Sequence, residues 1–365
     1  MSMEMKQKSG ANSQLVQAQT INNYYGITEE RAREIIQEEA GKIDSYTQEA
    51  LSTARERIGK LEDSFMEASS RIDGALESFA DPAFQILLRD AAERAAATER
   101  EEDYDLLSQL LICHIQKGKE RKNRAGIHRA IRIVDEIDND ALCALTVFHA
   151  AEQIFTAVGS CLQGFEIQEK MFSKLMYMGL PEGEGWMDHL DVLGAIRINP
   201  FGKLKKLEEY NAEILNGYVC VGIKKDSKEY DTATSLLCRY VRAENCIVDN
   251  ELLDGYVRLD IPNERAIDKL EITFPSDATQ PVIHIPAGHE VIDAIKKIWN
   301  MYSKDESLLA KVKQEYNARF NNYEHLRSLT AWWNAIPHSL ELTSVGKVLA
   351  HTNAKRCDPM IPDML

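Results

Sequence analysis

The chain contains no run of 18 or more apolar residues, so no transmembrane helix is expected. Its opening stretch, MSMEMKQKSGANS, has no apolar centre and does not read as a secretory signal. Closely spaced cysteines are also missing. Cys113, Cys143, Cys161, Cys220, Cys238, Cys246 and Cys357 are odd in number and scattered, which predicts reduced thiols in a cytosolic protein. There is no Gly-x-Ser-x-Gly elbow, no Walker loop, no Gly-x-Gly-x-x-Gly, no His-Glu-x-x-His and no Cys-x-x-Cys, so the common nucleophile, phosphate-loop and zinc signatures are excluded. Positive charge is in short supply: 43 Lys and Arg stand against 58 Asp and Glu, a net charge of −15. That balance repels nucleic acid and anionic membrane over most of the surface, so a nucleic-acid role requires a local basic patch.

No proline occurs before Pro82 either, and one long helix can fill the stretch ahead of it. Thr28 is a helix cap, and Glu29 and Glu30 suit the positive end of a helix dipole. The apolar series Ala32, Ile36, Ala40, Ile43, Ala50, Ala54, Ile58, Leu61, Phe65, Ala68, Ile72, Ala75 and Phe79 advances at the α-helical period. This predicts an amphipathic helix over residues 28–80 whose stripe is buried in one of two ways. Either the helix folds back on its own domain, or it self-associates as a coiled coil with Ile36, Ile43, Ile58, Leu61, Phe65 and Ile72 as the interface.

FADPAF, residues 79–84, is a hinge, because a residue before proline avoids the α region. Helical patterns then follow one another, one of them running continuously from Asp140 to Leu162, predicting an all-helical domain over 83–212. Beyond residue 216 the period shortens. GYVCVGI reads as a buried strand, DTATSLLCRYVR as a helix and NCIVDN as a strand. LLDGYVRLDI reads as a turn at Asp254-Gly255 leading into a strand, NERAIDKLEI as a short helix and VIHI as a last strand. That order suits a small split-βαβ, ferredoxin-like unit over 216–286. A C-terminal helical domain is expected over 287–365. In it, SLELT feeds a helix capped by Thr343, and the element resembles the closing L-T-x-x-G-x-x-L-A of winged-helix domains. The fold class is therefore α+β, mainly α.

Candidate chemistry is sparse. His149 and Glu152 share a helix face, and Glu184 and His189 lie five apart; neither pair has the order or spacing of a di-iron motif, so no metal and no cofactor are expected. DEIDND and WMDHLD offer carboxylates, with Asp188, His189 and Asp191 as the one arrangement that could orient a base. Two basic stretches stand out. KGKERKNR carries Lys117, Lys119, Arg121, Lys122 and Arg124, and residues 304–356, with Lys347, Lys355 and Arg356, sum to +3 in a chain of −15. Both read as solvated helix ends or as nucleic-acid contacts.

The leader NSQLVQAQTINNYYGIT is uncharged, rich in Gln and Asn, and free of proline. It reads either as a disordered tag or as an assembly segment centred on Val16, Gln17, Ala18 and Ile21, able to stack through amide ladders or add a strand to a partner. Its V-Q-A core is similar to the Val-Gln-x-Gly core of amyloid signalling motifs, with Gln19 in place of glycine. Together with GITEERAREI, DPAFQILLRDA, EREEDYDLLSQLLICHIQKGKERKNR, NGYVCVGIKK and LTSVGKVLAHTNAKR, the leader resembles an uncharacterised family of bacterial proteins. The resemblance implies a bacterial cytosolic protein and carries no established activity. The favoured expectation is a non-enzymatic, homo-oligomeric interaction protein, linked to defence or signalling. The alternatives are a nucleic-acid-binding regulator using the C-terminal element, and an enzyme with a site near Asp188, His189 and Asp191.

Overall fold

The computed structural model describes residues 29–70, 72, 75–154, 159–240, 246–274 and 283–364. The leader, with Val16, Gln17, Ala18 and Ile21, lies outside the described residues, as do the side chains of Ile36 and Ile43. The helices are α1 (Glu29–Ser69), α2 (Pro82–Ala97), α3 (Glu101–Lys117), α4 (Arg121–Arg132), α5 (Asn139–Gln153), α6 (Cys161–Leu175), α7 (Gly185–Val192), α8 (Leu207–Ile214), α9 (Lys228–Leu237), α10 (His289–Trp299), α11 (Glu306–Phe320), α12 (Glu324–Ala335) and α13 (Ser344–Cys357). The strands are β1 (Ile196–Asn199), β2 (Ile223–Lys224), β3 (Ile247–Asp249), β4 (Tyr256–Leu259), β5 (Glu271–Phe274), β6 (Ile283–Pro286) and β7 (Ser339–Leu342). All pair antiparallel in small sheets, so the class is α+β, mainly α. Among the described residues no helix is long and apolar enough to cross a membrane.

The chain divides into two compact units, through Glu56 and from Arg57. In the first, Thr47 to Thr53 of α1 are exposed, Leu51 by 45%. In the second, the last turns of α1 enter the core: Leu61 and Phe65 are each 3% exposed. Lys60 pairs with Glu101 at 2.7 Å and the Ser64 hydroxyl donates to Asp105 at 2.7 Å, which fixes this part of the helix along α3. The single helix expected over 28–80 stops at Ser69, and a short 3₁₀ helix, Leu76–Ala80, follows. The reason is aromatic packing. Phe79 must come back onto Phe65 and Phe84, with ring centroids 6.1 and 5.3 Å away, and a straight helix could not return it. Asp81 then caps α2 by accepting from the Ala83 N–H, with Pro82 at the first helical position.

α5 is the central element. Every residue from Ala141 to Ala151 is buried, which marks a helix enclosed on all sides. The continuous helix expected from Asp140 to Leu162 is broken: α5 ends at Gln153, and α6 starts anew behind a Ser160 cap. Glu251 reinforces that start, accepting from Ser160 Oγ and the Cys161 N–H, each at 2.6 Å.

A second, smaller core lies under the sheet of order β2-β4-β3. With α9 between β2 and β3, this is a split βαβ. Among the described residues no fourth strand joins this sheet to complete the ferredoxin-like pattern. β6 pairs with β5 in a separate sheet, and the Gly222 carbonyl next to β2 accepts instead from the Ser303 N–H at 2.8 Å. GYVCVGI is strand only at its end, at Ile223. The C-terminal boundary also moves. Ile295 and Ile298 of α10 belong to the small core, while α11, α12 and α13 share the large core with α2 to α8. Residues 287–365 are thus not one separate domain; the apolar faces of α10 and α11 are buried in different cores.

Candidate functional site

α13 carries three of the basic side chains singled out above, Lys347, Lys355 and Arg356. Thr343 caps it, accepting from the Gly346 N–H at 3.2 Å, and its own hydroxyl faces the carbonyls of Gly194 at 2.7 Å and Ala195 at 3.0 Å. A Cβ on Gly346 would lie 2.0 Å from the Ala195 carbonyl oxygen, so only glycine lets α13 dock there. β7, just before it, pairs with β1 from Ile196↔Leu342 to Asn199↔Ser339. The L-T-x-x-G pattern is thus a docking motif for this helix.

Along α13 runs a buried polar chain. Asn353, fully buried, donates to Thr146 Oγ1 at 2.9 Å, and Arg356 Nε donates to Asn353 Oδ1 at 2.9 Å. The Arg356 guanidinium lies 5.7 Å from the centre of the Tyr177 ring. On the next face, His149 Nε2 and His351 Nδ1 are 3.1 Å apart, and His351 Nε2 donates to the Pro362 carbonyl at 3.0 Å. Because a carbonyl can only accept, the neutral His351 carries its proton on Nε2, and His149 donates from its own Nε2. The His149 Nδ1 is then an acceptor, and it is buried with no partner. Burial, then the neighbouring His351 and Lys347, push the His149 pKa down to about 4; burial also lowers that of His351. Glu152, one turn along α5, is pushed up to about 7 by burial, against the pull of Lys347.

The segment 358–364 forms a C-terminal strap beside α13. Ile361 anchors it at 4% exposure, Lys174 pairs with Asp358 at 2.8 Å, and Lys355 pairs with Asp363. Two cavities flank it. One, of about 490 Å³, is lined by Lys117, Lys355 and Arg356. The other, of about 840 Å³, is lined by His149, Lys170, Lys174, Lys347 and His351 with a largely apolar wall.

Of the basic residues expected to contact nucleic acid, Lys117, Lys355 and Arg356 therefore meet at one cavity and Lys347 lies at the other. Lys119, Arg121 and Lys122 are exposed around the start of α4, with Arg124 half-buried behind them. Lys355 and Arg356 are already engaged within the chain. Of the expected oligomer interface, Leu61 and Phe65 are core residues, Ile72 packs against the same core and Ile58 is half-buried. Asp188, His189 and Asp191 all fall on α7. His189 Nε2 accepts the Asp138 N–H at 3.2 Å, Asp138 caps α5, and neither Asp188, His189 nor Asp191 lines either cavity. Among the described residues no three His, Cys, Asp or Glu side chains converge to hold a metal ion. Sequence reading missed the His149–His351 pair, because its members meet only when α13 packs on α5.

A family model matches residues 26–360. The chain belongs to that family, an uncharacterised one with no established activity. Comparison with curated proteins found no match, and comparison with solved structures found none either.

Proposed function

We propose that this protein is a non-enzymatic, oligomeric interaction protein of a bacterial cytosol, assembled through the N-terminal half of α1. The observation that carries the reading is Leu51, 45% exposed in a helix of 41 residues whose stretch from Thr47 to Thr53 is exposed. Helix propensity alone leaves such a segment marginal, and the apolar series that the sequence runs along it needs a partner helix to cover it. The uncharged leader, held at high local concentration by that assembly, would reinforce it. The leader's composition supports a place in defence or signalling.

Light scattering tests the reading on three chains: the full protein, the chain starting at Arg57, and the full protein with Ile43→Glu and Leu51→Glu. Oligomers are expected only for the first. A monomeric full chain refutes the proposal. The cut at Arg57 keeps Leu61 and Phe65 in the core, which a cut at Ala83 would remove.

The nucleic-acid reading has one supporting observation: Lys117, Lys119, Arg121, Lys122 and Arg124 have no carboxylate within ion-pair distance among the described residues. Against a winged-helix mode, α13 buries seven of its fourteen residues and exposes only Ser344 and Lys347. A recognition helix needs an open face for the groove. Fluorescence anisotropy on duplex DNA decides it. Salt-dependent binding lost on Lys117→Glu with Lys122→Glu would favour this reading over assembly alone.

A further inference from the structure

The larger cavity has the size and the lining of a ligand site that the assembly role does not use. Its volume, about 840 Å³, lies within the range of small-molecule pockets, roughly 300–1,000 Å³. Ile167 and Met171 of α6 form one part of its wall, and Met360 and Ile361 of the strap form another. Ile167 is 39% exposed and Met360 86% exposed, so apolar surface faces water on both sides. Methionines suit a flexible apolar guest, because the thioether chain repacks at little cost. No Phe, Tyr or Trp is among the described residues that line the cavity, which removes the stacking platform a nucleobase needs.

The charge is the second observation. Lys174 is neutralised by Asp358 at 2.8 Å. Lys170 and Lys347 line the same cavity and have no carboxylate within ion-pair distance among the described residues. In a chain with 58 acidic side chains against 43 Lys and Arg, two lysines without an ion pair beside an apolar cavity, whose own carboxylates Asp358 and Asp363 are paired with Lys174 and Lys355, mark a place for an anion. The two histidines add no charge at neutral pH, so the cationic character rests on the lysines.

We propose that this cavity binds an amphipathic organic acid, an aliphatic carboxylate whose chain packs on Ile167, Met171, Met360 and Ile361 and whose carboxylate is met by Lys170 and Lys347.

Decanoate is the probe, titrated into the full chain by calorimetry below its micelle concentration, with decanol as the uncharged counterpart. A single saturable site is expected for decanoate, weakening as salt is raised. Decanol is expected to bind more weakly. Lys170→Glu with Lys347→Glu turns two attractions into two repulsions and should weaken decanoate by about tenfold. Both lysines are exposed, so the variant should keep its circular dichroism and its melting point. If it does not fold, Ile167→Asp on the exposed side of α6 serves instead, with the same tenfold loss expected. Absence of a saturable site, equal affinity for decanol, or undiminished binding by the variants would each overturn the proposal.

Discussion

Gly346 and the pair His149 and His351 show how much of the molecule rests on single side chains. Gly346→Ala would drive a methyl group into the Ala195 carbonyl and lift α13 from its seat. A loss of about 1–3 kcal/mol is expected from the denaturant midpoint. His149 makes the fold acid-sensitive. An unfolded histidine takes a proton near pH 6.5, whereas the folded one resists until about pH 4, so stability falls as pH drops through that window. The single-group contribution is about 3 kcal/mol, and His149→Phe should flatten the profile there. Glu152 acts in the opposite sense. Its folded pKa, about 7, lies above the ordinary 4.5, so its contribution is full at low pH and declines as pH rises from 4.5 to 7. Glu152→Gln should therefore raise stability at pH 8 and leave it unchanged at pH 4, as urea melts at the two values would show. The sequence placed His149 and Glu152 on one helix face, but their perturbation comes from burial and from α13.

At the scale of elements, α1 is exposed from Thr47 to Thr53 and enters the large core from Leu61. The sequence left open whether its apolar stripe folds back or self-associates, and from Leu61 onward it folds back. Leu61→Ala or Phe65→Ala should cost about 2–5 kcal/mol and leave the oligomeric state intact. Leu51→Glu should do the reverse, changing stability by about 0.5 kcal/mol or less while weakening assembly. Combined melting and light-scattering measurements separate the two halves. α5 and α6 show why the periodicity overran its helix. The apolar pattern continues through the gap, and what restarts the helix is a Ser160 cap strengthened by Glu251 from the small unit. That partner lies far along the chain. Strand β3 was legible inside NCIVDN, whereas only the last residue of GYVCVGI belongs to β2, and Gly255, with φ +78°, makes the turn that Asp254-Gly255 announced.

For the whole molecule, Arg258 joins the two cores. It is 2% exposed, donates to the Gly159 carbonyl at 2.6 Å and lies over Tyr218 at 4.8 Å. Arg258→Met should uncouple the melting of the small core from that of the large one, read by calorimetry as two transitions in place of one. Local pattern alone determined the class of this protein, its helix start at Thr343, and its turn at Asp254-Gly255, because caps, turns and periodicity act over a few residues. Tertiary structure alone decided that α10 and α11 part company, that Leu61 and Phe65 are core, and that two histidines, three lysines and the C-terminal strap surround one cavity. Those outcomes depend on which distant segments exclude water together, and that is settled only when the whole chain packs.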